Sequence, residues 1–196
     1  SPRMQQMCSI EHPVGGVVLA SRRQTSGIVR RLSDIVHLGL EFEICVRIGR
    51  DLPPRSAPYT MDDIAQAVSA VAPAFEVIDD RNSPYPLDVL SLVADNAWNE
   101  GIVLGEFRES WPDLAKVRGT VERNGEAIDQ GEGSAVLGHP FAPVVWLANH
   151  LSARGETLRA GEIVSTGSLV TTRFPEPGDR FRFTVEGIGS TELILE

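Results

Sequence analysis

From Glu41 to Ile48 the chain alternates polar and apolar residues: Glu41-Phe42-Glu43-Ile44-Cys45-Val46-Arg47-Ile48. A period of two predicts a β-strand with Phe42, Ile44, Val46 and Ile48 on one face. Glu41 and Glu43 then project side by side from the other. Two such carboxylates repel each other and stay ionised cheaply only in water or around a cation. The pattern alone therefore allows either a half-exposed strand with a wet face or a cation site.

The rest of the chain reads as short elements. Val14 to Leu19 suggests a turn feeding a strand. Thr60 is a candidate N-cap, with Asp62 and Asp63 in the first turn of a helix whose apolar face is Ile64, Ala65, Val68 and Val71 and which Pro73 stops. Phe75 to Asp79 is a short strand that places Glu76 opposite Phe75 and Val77. Pro84 and Pro86 open a second helix, Leu87 to Asn96. From Gly101 onward strands dominate. Ile102-Val103-Leu104 is one. Val117–Glu122 and Glu126–Gln130 flank Asn124-Gly125, a strong hairpin signal. Gly131 to Ser134 reads as a loop. Pro140 to Arg154 is the most apolar helix, with Gly155 as its C-cap. Ile163–Thr166 is a strand, and Phe181–Val185 pairs with Glu192–Leu195 across a Gly187-Ile188-Gly189 turn. These elements predict an α+β class with a strand-rich second half.

Composition narrows the function classes. With 196 residues there is length for one domain with a sizeable core. A net charge of −9 argues against nucleic acid as a partner. It does not exclude anionic substrates, since a bound divalent ion inverts the local field. Lys116 is the only lysine, and it lies in a charged stretch without an apolar pocket signature, which argues against Schiff-base chemistry. Arg22, Arg23, Arg30 and Arg31 read as a solvated basic patch. Two cysteines, Cys8 and Cys45, form neither a disulfide framework nor a zinc ribbon. No apolar run reaches membrane-spanning length, so a cytoplasmic protein without membrane attachment is expected.

Glu41, Glu43 and Glu76 are three carboxylates on strands, each opposite an apolar face. If they converge, they form an oxygen-only site. Such a site suits Mg2+, or nearly as well Mn2+, rather than zinc, because no His/Cys cluster has ligand spacing.

Leu40-Glu41-Phe42-Glu43, Phe75-Glu76-Val77-Ile78-Asp79-Asp80-Arg81 and Ala94-Asp95-Asn96-Ala97 together resemble the fumarylacetoacetate hydrolase superfamily, within it the 2-keto-4-pentenoate hydratase and oxalocrotonate decarboxylase branch. Gly133 to Pro140 and Ala160 to Ser168 look like two later signatures of that branch. The resemblance implies a β-rich mixed roll of the family's C-terminal domain type. It implies Mg2+ or Mn2+ on Glu41, Glu43 and Glu76, and a small-molecule 2-oxo acid substrate whose keto group the cation polarises. It also implies substrate contacts from Ser134, Thr166 and Gly167, and assembly as a homo-oligomer. For Ser134 the competing reading is a loop hydroxyl beside a helix, and for Thr166 and Gly167 it is turn chemistry. Arg81 could pair with a substrate carboxylate, but structural pairing with Asp79 or Asp80 is the favoured expectation. His139 is expected to be structural, and Trp98, Trp111 and Trp146 to be core or interface aromatics.

Residues 1–196 are expected to form a single catalytic domain lacking the family's N-terminal segment, whose lysine is implicated in proton transfer. Where the branch often has an acid, this chain has Val14, and no residue is assigned the proton transfer. The leading expectation is a metal-dependent lyase most like 2-keto-4-pentenoate hydratase. The alternatives are an oxalocrotonate decarboxylase, an acylpyruvate hydrolase, and a non-catalytic relative that binds metal and 2-oxo acid.

Overall fold

A computed structural model of the chain describes residues 13–83 and 88–196. Its strands and helices follow in order: β1 (Arg23–Thr25), β2 (Ile28–Arg30), β3 (Leu38–Ile48), α1 (Met61–Ala67), β4 (Val68–Asp79), α2 (Val89–Ala94), β5 (Asn99–Leu104), β6 (Arg118–Arg123), β7 (Glu126–Glu132), α3 (Phe141–Ala153), β8 (Ile163–Ser168), β9 (Arg180–Val185) and β10 (Gly189–Leu195).

The strands form two five-stranded mixed sheets, ordered β1-β5-β4-β3-β8 and β2-β10-β9-β6-β7. Between them lies the core. Phe42 of β3 meets Phe75 of β4 edge-on at 5.5 Å and reaches across to Phe183 of β9 at 5.7 Å. The apolar residues of the alternating stretch thus bury against the second sheet, as their period requires. The opposite face of β3 is buried as well. Glu41 and Glu43 are 8% and 1% exposed, so the wet-face reading does not hold.

Helix α1 opens with the expected cap. Asp63 N–H donates to the Thr60 hydroxyl, and the Thr60 N–H donates back to the Asp63 carboxylate. The helix is shorter than its pattern predicts. Val68 and Val71 belong to β4, and Pro73 lies inside that strand rather than ending a helix. The ladder tolerates it because the Pro73 carbonyl accepts from Gly105 N–H at 2.9 Å, just past the end of β5. The missing N–H would face that same side, so the pairing with β3 loses nothing.

Helix α2 starts at an Asp88 cap, whose carboxylate accepts from the N–H groups of Leu90 and Ser91. The expected prolines, Pro84 and Pro86, and Leu87 lie outside the described residues, as do Cys8 and His12. The Asn124-Gly125 turn joins β6 and β7 with φ of 56° and 88°, the primed geometry that its sequence predicts. The Val14–Leu19 stretch forms no strand; the chain enters the sheet at β1 instead. Gly131 and Glu132 extend β7 rather than forming a loop. Helix α3 docks on the segment before α1 through Asn149, which bonds both the N–H and the carbonyl of Tyr59.

Candidate metal centre

Strands β3 and β4 are antiparallel neighbours in a register that sets Glu41 directly opposite Glu76. Glu43 lies two residues along on the same face. One carboxylate oxygen from each of the three lies within 4.8 Å of the others. Three acids this close, away from water, have unfavourable self-energies and repel one another. Burial first, and then the charge of Glu43, push the Glu41 carboxyl up to about 7. Burial raises Glu76 well above the ordinary carboxylate range, with Glu43 and Glu41 adding to the effect.

Each acid is oriented by a donor from another element. Glu43 accepts from the Ser165 hydroxyl and from Gly167 N–H. Glu76 accepts from Asn99 Nδ2 at 2.7 Å, and Glu41 accepts from the Thr172 hydroxyl at 3.1 Å. The donors on Glu43 exist because β8 bulges. Glu43 pairs with Ser168 and Cys45 with Ser165, so three steps of β8 face two of β3. Gly167 takes a φ of +110° there. Bulges of this kind re-aim side chains next to binding sites.

The acids open into a cavity of about 650 Å³. Its apolar lining includes Val18, Trp98, Ile102, Trp146 and Leu147. Trp98 and Trp146 therefore line the cavity, while only Trp111 packs on the core. Asn96, Ala97 and Trp98 run consecutively through left-handed backbone, at φ of 50°, 55° and 62°. Asn96 clamps this turn to the opposite lip, since its side chain bonds both the N–H and the carbonyl of Val17.

The structure brings five of the six sequence-predicted site residues to this region. Glu41, Glu43, Glu76, Thr166 and Gly167 line the cavity. Thr166 turns its hydroxyl away to the Ile44 carbonyl, at 2.7 Å, so it braces the bulge. Ser134 is not brought to the acids. It is exposed and donates to Glu132 instead. The orienting residues Ser165, Asn99 and Thr172 were not singled out by sequence. Ser165 neighbours Thr166 in a recognisable stretch, whereas Asn99 and Thr172 reach the acids only through the tertiary fold.

Other residues fall away from the chemistry. Arg81 pairs with Asp95 and, at 3.5 Å, with Glu100, rather than ion-pairing with Asp79 or Asp80. His139 Nδ1 accepts from Phe141 N–H at the start of α3, a structural role as expected. His37 stacks on Phe174 and lies 2.6 Å from Asp80. Lys116 pairs with Asp113 at the surface. Burial and the charge of Glu43 push the Cys45 thiol well up, so it is a packed side chain rather than a nucleophile.

The donor set fits a hard divalent cation. It offers carboxylate oxygens only, already oriented, with a surplus of negative charge that protons or a cation must offset. A family model described as "Fumarylacetoacetate (FAA) hydrolase C-terminal" matches residues 17–194. The chain belongs to the fumarylacetoacetate hydrolase family. Among curated members, it is 32% identical to a 2-hydroxyhexa-2,4-dienoate hydratase of Comamonas testosteroni, over 98% of this chain and 74% of that protein. It is 35% identical to a 4-oxalocrotonate decarboxylase of Pseudomonas putida, over 96% of this chain and 71% of that one. Among solved structures, the 4-oxalocrotonate decarboxylase of Pseudomonas putida G7, complexed with magnesium and adipate, superposes with a TM-score of 0.90 at 32% identity, covering all of this chain and 74% of that one. The α+β fold of this family member is therefore the one its sequence implies. No helix among the described residues is long and apolar enough to cross a membrane.

Proposed function

We propose that this chain is a divalent-metal-dependent lyase acting on small 2-oxo acids, a hydratase of the 2-hydroxy-2,4-dienoate type. The observation that carries the reading is the convergence of Glu41, Glu43 and Glu76 at the base of a largely apolar cavity. Its relatives are named as hydratases and decarboxylases of such acids, which supports the same reading.

In this reading Glu41, Glu43 and Glu76 hold Mg2+ or Mn2+. Bound there, the cation supplies Lewis acidity and positive charge to the 2-oxo acid end of the substrate. The protein's own residues do the rest. Ser165, Gly167, Asn99 and Thr172 fix the carboxylates so that little reorganisation is needed on binding. Trp98, Ile102 and Leu147 exclude bulk water from the hydrocarbon part of the substrate. Gly167 and the neighbouring bulge line the same space and hold Glu43 in place.

The test is an assay with Mg2+ on two substrates. Loss of dienol absorbance from 2-hydroxypenta-2,4-dienoate without carbon dioxide release marks a hydratase. Carbon dioxide from 2-oxohex-3-enedioate marks the decarboxylase, a second reading favoured by a cationic side chain in the cavity, Arg23. Absence of both, with EDTA-treated protein behaving identically, defeats the proposal. The same reading includes a homo-oligomer, supported by the exposed apolar residues Val89, Leu90 and Val93 on α2; light scattering on the eluted protein tests it.

A further inference from the structure

One side chain in the cavity is unlike the rest. Arg23 is the single cation among the described lining residues, which otherwise offer acids, uncharged polar side chains and apolar groups. It lies on β1, the edge strand. Register places it in a row: Arg23 pairs with Ile102, Ile102 with Glu76, and Glu76 with Glu41. Residues directly opposite across a sheet project from the same face. The neighbouring row on the inner strands, Val103, Phe75 and Phe42, points into the core between the sheets, which fixes the first row on the cavity side.

Two strand spacings of about 4.8 Å put the Arg23 and Glu76 backbones about 10 Å apart. Ile102 fills the space between with hydrocarbon. The sheet therefore presents an acid cluster, an apolar step and a guanidinium in line. Among the described residues Arg23 has no ion-pair partner, unlike Arg22, which lies 3.6 Å from Glu100. A guanidinium left unpaired in a cavity suits a planar anionic group on the ligand.

We propose that Arg23 is a specificity-determining residue that receives a second carboxylate at the far end of the substrate, so that this site prefers 2-oxo dioates to 2-oxo monoacids. The inference rests on the 2-oxo-acid reading above and adds the chemistry of the substrate's tail. It is compatible with hydration or decarboxylation, because both act on a chain held at its 2-oxo end. The distal carboxylate of a six-carbon dioate extends along the row over Ile102 toward the guanidinium, while the cation site keeps the first carboxylate.

The test is calorimetric binding to the Mg2+-loaded protein of two unreactive probes of equal chain length, 2-oxoadipate and 2-oxohexanoate. The expected result is about a tenfold preference for 2-oxoadipate, the scale of one charge-assisted contact. That preference shrinks as salt is raised. Arg23→Ala removes it by weakening 2-oxoadipate alone, and Arg23→Lys keeps part of it. Because Arg23 is an exposed residue on an edge strand, both variants are expected to fold, and unchanged 2-oxohexanoate affinity verifies this directly. Equal binding of the probes by wild type, tighter binding of 2-oxohexanoate, or a preference that survives in Arg23→Ala overturns the role of Arg23 and leaves the 2-oxo-acid reading standing. Failure of wild type to bind either probe overturns both.

Discussion

The peptide N–H of Gly167 donates to a carboxylate oxygen of Glu43 at 2.7 Å, from a backbone with φ of +110°. The contact ties a metal-ligand candidate to a conformation that side-chain-bearing residues avoid. A backbone conformation open to glycine and the site geometry are thus coupled at one residue.

Gly167→Ala is expected to lower stability by about 1–2 kcal/mol, because an L side chain is disfavoured in that backbone region. It should also weaken Mg2+ binding about tenfold or more through loss of the oriented donor. Calorimetric titration and thermal melting read the two effects separately. A variant that melts like wild type and binds Mg2+ equally well would show that the bulge does not aim Glu43.

Ser165→Ala removes the other donor on Glu43 without disturbing the backbone. Mg2+ affinity should fall about 10- to 100-fold, the usual scale for a group that orients a ligand. The fold, read by circular dichroism, should be retained.

The metal-free protein should lose stability as pH rises from about 5 to 8. The folded state holds Glu41 at about 7, first through burial and then through Glu43, far above its unfolded value near 4.3. Between those values the native state binds the extra proton, so raising the pH favours unfolding. Its contribution is complete below the unfolded pKa and gone above the folded one. Glu76, raised in the same direction, extends the trend upward. Saturating Mg2+ should flatten or reverse the slope, because binding displaces protons. Melting temperatures with and without Mg2+ across this range check the sign, and a metal-free curve that climbs toward pH 8 would contradict it.

Glu76→Gln should separate binding from folding. Replacing an acid that must take up a proton on folding with a neutral amide is expected to raise the metal-free melting temperature near neutral pH by about 2–4 °C, corresponding to about 1 kcal/mol. Mg2+ binding should be abolished or weakened by orders of magnitude. A destabilised variant with intact binding would mean that Glu76 serves the fold rather than the cation.

Asp79, three residues beyond Glu76 on β4, acts in the opposite sense. Burial opposes its ionisation, but the N–H groups of His37, Arg81 and Val36 outweigh that and hold its carboxyl below the usual range. Asp79→Ala should cost about 2–3 kcal/mol. Its contribution is present above the unfolded pKa and disappears as pH falls through the folded value. The difference between variant and wild-type melting points should therefore narrow in acid.

Much of this was legible in the chain. The two-residue period of β3 fixed both the core row and the acid row, and Asn124-Gly125 fixed a hairpin. The apolar stretch of α3 identified the longest helix. The misreading around Val68 and Val71 has a physical cause. An apolar run rich in alanine and valine fits helix and strand alike, and a proline normally breaks both. Only the tertiary position of Gly105, which meets the outward side of Pro73, makes the strand possible. Thr166 enters only through the family resemblance, and local spacing cannot reveal the bulge that turns its hydroxyl to the Ile44 carbonyl and the Ser165 hydroxyl to Glu43. Thr172 and Asn99 come to the acids from distant segments and leave no local pattern. Ser134 carries a recognisable loop sequence but is directed toward Glu132 rather than the cavity.

The three acids and the row through Ile102 belong to hydrogen-bonded ladders, whereas Val18, Trp98, Trp146 and Leu147 come from loops and from α3. The chamber therefore has a floor and walls built by different means. Replacing a residue in the walls changes what shape of molecule is admitted while the floor, locked by its neighbours, stays in place. Evolution can retune such an enzyme to a new carbon skeleton one wall at a time, without having to rediscover how to hold the ion.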